Sequence, residues 1–247
     1  MKVLIVCGDG INCEVETAEA FQEAGFQTQI RHLNDLIAER FDQSRLAAEF
    51  SVVALPGGFS FGDDLQSGKI LALKISHGLG WDLNRFAKDG GWVLGVCNGF
   101  QALIRLGVFG RDLSIMHNAS GKFLNTWVEL KREGDRCLWL KGIQGLPVPI
   151  RHGEGRIVLK EGITARDLIA SGTACLTYQT DPNGSAGRIA GLTDETGRIL
   201  GLMPHPEAFI RAVNHPTWTR DLDPASPGLG LQIFKNAFEQ MKTGKFA

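Results

Sequence analysis

Residues 91–101 read GWVLGVCNGFQ. An apolar run leads into Cys97, with Gly95 two places before it and Gly99 two places after. The run suits a strand buried on both faces, and NGFQALIRLGVF behind it has helical spacing. A cysteine at that junction fits a nucleophile elbow, G-V-C-N-G, with a thiol as its reactive group. The glycines let strand and helix approach closely. The thiol then stands above the carboxyl edge of the sheet, where open α/β folds hold their ligands. Backbone N–H groups at the helix start point to the same spot and favour a thiolate or a developing negative charge. The bland alternative is a buried cysteine between chance glycines. The strand–turn–helix context argues against it.

The same alternation extends in both directions. KVLIVC (2–7) is a β-branched apolar run stopped by glycine, and residues 13–25 place Val15, Ala18, Phe21 and Ala24 at helical spacing up to Gly25. QTQIRHL reads as a second strand and FSVVALP (50–56) as a third, ending in GGFSFGDD. Residues 66–88 read as one long helix, interrupted near Gly78 and Gly80. Strand and helix in turn predict an open, mostly parallel sheet with helices on both faces. The middle breaks the rhythm. NTWVELK, CLWLKG and GRIVLK, within 113–160, read as antiparallel edge strands. Residues 187–205 read as a hairpin around DETG, NHPTWTRDLDPASPG as loop, and 229–242 as a final amphipathic helix. No repeat or linker divides the chain, so the expectation is one α/β domain over 1–247.

Bulk composition sets limits. The 247 residues carry 43% hydrophobic and 21% charged side chains, with a net charge of -1. That is ample for a core, and offers no basic face for nucleic acid or an anionic membrane. Cys7, Cys13, Cys97, Cys137 and Cys175 are odd in number and scattered, without a C-x-x-C pair, so neither a disulfide framework nor a metal site is expected. The first apolar run is too short for a secretory signal, and no apolar stretch approaches about 18 residues. A cytoplasmic location is expected.

An elbow cysteine needs a base. MPHPE (203–207) offers His205 and Glu207, two apart in a segment held extended by Pro204 and Pro206. Residues i and i+2 of an extended segment share a face, so Glu207 can fix the ring of His205, which can then take and return the cysteine proton. LPGGFSFGD (55–63) follows a strand with a glycine pair. The N–H of Gly58 or Phe59 could join that of Asn98 in an oxyanion hole, where losing one donor costs on the order of 10²–10³ in rate. No phosphate-binding glycine pattern occurs here.

Elbow cysteine, PGG loop and late H-P-E together resemble the class I, or triad, glutamine amidotransferases, whose fold is flavodoxin-like. PGGFSFGD, GVCNGFQ, HNASGKF, PIRHGEGR, DPNGS and GLMPHPE, in that order, are similar to the glutaminase subunits of phosphoribosylformylglycinamidine synthases, nearly end to end. The resemblance implies that Cys97 attacks the side-chain amide of glutamine, His205 moves protons and Glu207 orients it. Gly58 and Asn98 would supply oxyanion donors. Gln101 would help hold glutamine, and Asn118, Ser120, His152 and Glu154 would flank the site. Ammonia would pass to a separate large synthase subunit, joined through a small bridging subunit. No cofactor is implied for this chain; ATP and magnesium would belong to the partner.

His117, Arg151, Asp181 and Ala208 depart from the family's usual residues and could alter the docking face. A glutaminase serving a different synthase would share the triad. An elbow-cysteine hydrolase of the same superfamily would not need Glu207. A catalytically dead scaffold would not need all three triad residues.

Overall fold

The computed structural model describes residues 1–244. In chain order its elements are β1 (Lys2–Cys7), α1 (Glu14–Glu23), β2 (Gln27–His32), α2 (Leu33–Ala38), α3 (Gln43–Glu49) and β3 (Val52–Leu55). Then come α4 (Lys69–Leu73), α5 (Leu83–Lys88), β4 (Trp92–Val96), α6 (Asn98–Arg105), β5 (Leu113–His117), β6 (Leu124–Arg132), β7 (Gly145–His152) and β8 (Glu154–Leu159). The chain continues with α7 (Ala165–Ala170), β9 (Ala174–Tyr178), β10 (Ile189–Thr193), β11 (Ile199–Leu202), α8 (Trp218–Asp221) and α9 (Leu231–Thr243).

Nine strands form one sheet in the order β2-β1-β3-β4-β11-β10-β9-β6-β7, and β5 pairs with β8 in a second, two-stranded sheet. β2, β1, β3, β4 and β11 are parallel, and β10, β9, β6 and β7 continue as antiparallel pairs. This is the flavodoxin-like α/β arrangement with antiparallel strands at one side. Every residue of β3, β4, β9, β10 and β11 is buried, as strands covered on both faces require.

The chain moves outward from β1 to β2, then returns past β1 to β3. With right-handed crossovers that reversal puts helices on opposite faces. On one face α1 meets α9 through Phe21 and Phe234, whose ring centroids are 4.9 Å apart. On the other, α6 lies against β3, β4 and β11 and carries α4 beside it. The reversal also opens a crevice at the carboxyl ends of β1 and β3, where such folds bind ligands.

The structure corrects several local expectations. Residues 66–88 are three pieces: α4, a π-helical turn over Lys74–Leu79 and α5. Gly80, at φ 65°, ends the second piece, and the Asp82 carboxylate caps the third by accepting from Arg85 N–H at 2.9 Å. CLWLKG is no strand: Leu138–Leu140 form a 3-10 turn, held by Asn236 Nδ2 donating to the Trp139 and Lys141 carbonyls. The segment read as loop near the end contains α8. α2, α3, α7 and β9 are too short, or too uniformly buried, to show a clear period.

Candidate active site

Cys97 adopts φ 48° and ψ -103°, a strained conformation for any residue with a side chain. Two close approaches hold it there. A Cβ on Gly99 would lie 1.8 Å from the Leu55 carbonyl oxygen, and one on Gly95 would lie 2.5 Å from Leu103 Cδ1. Helix α6 therefore presses on the end of β3, and the chain must turn sharply at Cys97.

β4 and β11 are parallel neighbours, with Val96 paired to Leu202. Cys97 N–H donates to Leu202 O at 2.8 Å, and three residues later the chain reaches His205. His205 N–H donates to Pro149 O at 2.9 Å, while its ring Nδ1 lies 2.6 Å from Glu207 Oε1. Both side chains are buried. Burial disfavours a charged imidazole. The Glu207 carboxylate, Cys97 and the Cys13 thiol outweigh it, so the His205 pKa stands well above the ordinary histidine value. Among the described residues Nε2 has no well-aligned hydrogen-bond partner.

The loop after β3 folds onto the loop after β1. Phe59 N–H donates to Gly10 O at 2.7 Å, and Cys13 N–H to Gly57 O at 3.2 Å. Phe59 thus drops out as an oxyanion donor, because its N–H is committed. Gly58, at φ 147°, has no acceptor for its N–H among the described residues. Asn98, first residue of α6, has no intrahelical acceptor for its own. A Cβ on Gly57 would come within 2.6 Å of His205 Cε1, so this glycine makes room for the imidazole.

Asn98 also acts through its side chain. Oδ1 accepts from Ser60 N–H at 3.1 Å, and Nδ2 donates to Asp63 Oδ1 at 3.0 Å and Gln101 Oε1 at 2.9 Å. This ties the elbow to the glycine loop, a role that the sequence did not disclose.

A cavity of about 190 Å³ opens beside Cys97, Gly58 and His205. None of the five residues expected to hold or flank glutamine lines it. Gln101 donates to the Glu154 carbonyl. Glu154 binds Arg105 at 2.7 Å and accepts from Ser67 N–H at 3.2 Å. Asn118 donates to His152 O at 2.8 Å and accepts from His152 Nδ1 at 3.0 Å. Burial, aided by the charge of His205, lowers the His152 pKa to about 4. Ser120 is exposed and accepts from Lys122 N–H. Four of the five thus brace the loops around the site. The cavity wall comes instead from Asn12, Cys13, Glu16, Phe123, Asn125 and Arg151. The signal that could have found the first three is topological: the loop after β1 and the first turn of α1 border the point where strand order reverses.

Cys13, His205 and Glu207 offer a thiol, an imidazole and a carboxylate within 4.8 Å of one another, a donor set able to bind a transition metal. His205 and Glu207 are already bonded to each other, however, and an ion would have to compete with that 2.6 Å contact. Among the described residues no helix is long and apolar enough to cross a membrane.

A strained cysteine at a strand tip, a buried His–Glu pair just beyond the neighbouring strand and, among the described residues, an unbonded Gly58 N–H beside one cavity are the arrangement of a thiol enzyme of the triad amidotransferase type. Residues 1–240 match the CobB/CobQ-like glutamine amidotransferase domain, and the chain belongs to that family. It is 40% identical to the phosphoribosylformylglycinamidine synthase subunit PurQ of Dehalococcoides mccartyi, over 96% of each chain. It is equally identical to the PurQ of Methanococcus maripaludis, over 96% of this chain and 97% of the relative. A structure of PurLQS from Thermotoga maritima contains a chain of similar fold, with TM-score 0.76 and 28% identity over 97% of this chain and 98% of that one.

Proposed function

We propose that this chain is the glutaminase subunit of a phosphoribosylformylglycinamidine synthase and acts in de novo purine biosynthesis. The 40% identity to PurQ over 96% of the chain carries this reading. The Cys97 thiol gives its proton to His205, and the sulfur attacks the side-chain carbonyl of glutamine. The carbonyl oxygen takes negative charge, which the N–H groups of Gly58 and Asn98 stabilise. His205 returns the proton to the amide nitrogen, ammonia leaves and a thioester remains. Water, deprotonated by His205, attacks the thioester. Glutamate leaves and the thiol is restored. Glu207 holds the ring in the tautomer that both transfers need.

Ammonia passes to a large synthase subunit that uses ATP and magnesium to convert formylglycinamide ribonucleotide to the amidine. A small third subunit bridges the two chains. We place the chain in the cytoplasm, a reading that its unpaired cysteines support. Gln101, Asn118, His152 and Glu154 serve glutamine through the loops they brace. The test is amidine formation by this chain mixed with the synthase, the bridging subunit, ATP and magnesium. Glutamine should support turnover only when this chain is present, and Cys97→Ala should abolish that turnover while ammonium still supports it. If ammonium works and glutamine fails with the wild-type chain, the assignment to this acceptor is wrong.

A further inference from the structure

Besides His205, two ionised side chains line the cavity at Cys97, and they have opposite charge: Glu16 and Arg151. Both are exposed. Among the described residues neither side chain has a hydrogen-bond or ion-pair partner. They also line a second hollow beside the first, so they stand where the two openings meet.

Their backbone positions are set by the elements already described. Arg151 lies near the end of β7, and its carbonyl oxygen accepts from the Cys97 thiol at 3.7 Å. Its side chain therefore leaves from a point beside the nucleophile. Asn125 faces it directly across the β6–β7 pair and lines the same cavity. Glu16 lies in the first turn of α1, three residues after Cys13, whose thiol contacts His205. One charge thus approaches the cavity from the sheet and the other from α1.

Glutamine carries a carboxylate and an ammonium group on its α-carbon, a few bonds from the amide that reacts. Two unpaired charges of opposite sign at a cavity mouth match such a zwitterion. A guanidinium fork suits a carboxylate. We propose that Arg151, aided by the Asn125 amide, holds the α-carboxylate of glutamine, and that Glu16 holds its α-ammonium. The pair selects free glutamine over amides that lack this head group. This inference rests on the glutaminase reading above and names the subsite through which that site recognises its substrate.

The test compares two reagents that alkylate Cys97. Diazo-oxo-norleucine has the α-amino-acid head of glutamine; iodoacetamide has none. Labelling rates are read by intact mass on the chain alone and on the chain mixed with its synthase, with Cys97→Ala as the control for the site. Arg151→Ala should slow labelling by diazo-oxo-norleucine about ten- to a hundredfold, the usual loss for a charged hydrogen bond. Iodoacetamide labelling should change by less than about twofold. Arg151→Lys should recover part of the loss, and Glu16→Gln should show the same selectivity as Arg151→Ala. Equal slowing of both reagents would mean that Arg151 shapes the elbow and would overturn the inference. So would unchanged labelling by both, which would leave Arg151 to the docking face. If the wild-type chain accepts iodoacetamide but never the glutamine analogue, the glutaminase reading fails and takes this inference with it.

Discussion

Glu207 acts through one contact, its carboxylate against His205 Nδ1 at 2.6 Å. Glu207→Gln keeps the shape and removes the charge that holds the imidazolium. The His205 pKa should fall, and the glutamine-dependent rate should drop on the order of 10³–10⁴, as in other triads that lose their acid. The ammonium-dependent rate of the complex should not change, and the pair of assays checks this. His205 has a raised pKa. Its contribution to stability is complete below the ordinary histidine pKa and fades as pH rises through the folded value. His152 is the opposite case. With its pKa lowered to about 4, it favours the folded state above the ordinary histidine value, and that contribution is lost as pH falls toward 4. Between pH 7 and 5 the loss is about 2 kcal/mol. His152→Asn can keep the hydrogen bond to Asn118 and has no proton to gain. Urea midpoints at the two pH values should fall less in the variant than in the wild-type chain.

The elbow is a property of elements rather than of Cys97 alone. β4, α6 and the end of β3 meet at Gly99, where a Cβ would lie 1.8 Å from the Leu55 oxygen. Neither backbone can yield without moving its strand or helix. Gly99→Ala should therefore destabilise the protein by about 3 kcal/mol or more, read from urea unfolding, and slow Cys97 alkylation by displacing the turn. This junction was legible because G-V-C-N-G is local and both flanking elements have clear periods. The stretch 66–88 was only half legible. Gly80 marked one break, but the π-helical turn over Lys74–Leu79 left no compositional trace. CLWLKG has the composition of a strand, yet Trp139 is drawn into the aromatic core against Trp92, at 5.3 Å between centroids, and the backbone closes a turn instead.

Across the whole molecule, α9 closes one face of the sheet. Phe234 packs edge-on against Phe21 of α1 at 4.9 Å, and Phe21 touches Trp139 in turn at 6.3 Å. Phe234→Ala should cost about 3–5 kcal/mol in a urea titration, as for other large buried aromatics. The iodoacetamide rate at Cys97 under native conditions should stay unchanged, because α6 and the elbow lie on the other face. A parallel fall in both would mean that the two faces are coupled more tightly than the layer arrangement implies.

Sequence alone determined the parallel half of the sheet, the elbow at Cys97 and the pairing of His205 with Glu207. Each rests on residues within a few positions of one another: buried runs, glycines at fixed offsets, and the P-H-P-E segment, although Pro206–Ala208 close a 3-10 turn instead of staying extended and bring Glu207 to His205 by that route. Tertiary structure decided what surrounds them. Gln101 and Glu154, read as groups around the substrate, meet across 53 positions and brace α6 against β8. Glu16 and Arg151, 135 positions apart by number, converge on one cavity although β1 and β7 stand seven places apart in the strand order; His205 N–H donating to Pro149 O and the Cys97 thiol donating to Arg151 O bring β7 to the elbow. Local spacing encodes conformation. Which distant side chains share a cavity depends on strand order and register, and these are settled only when the whole core packs.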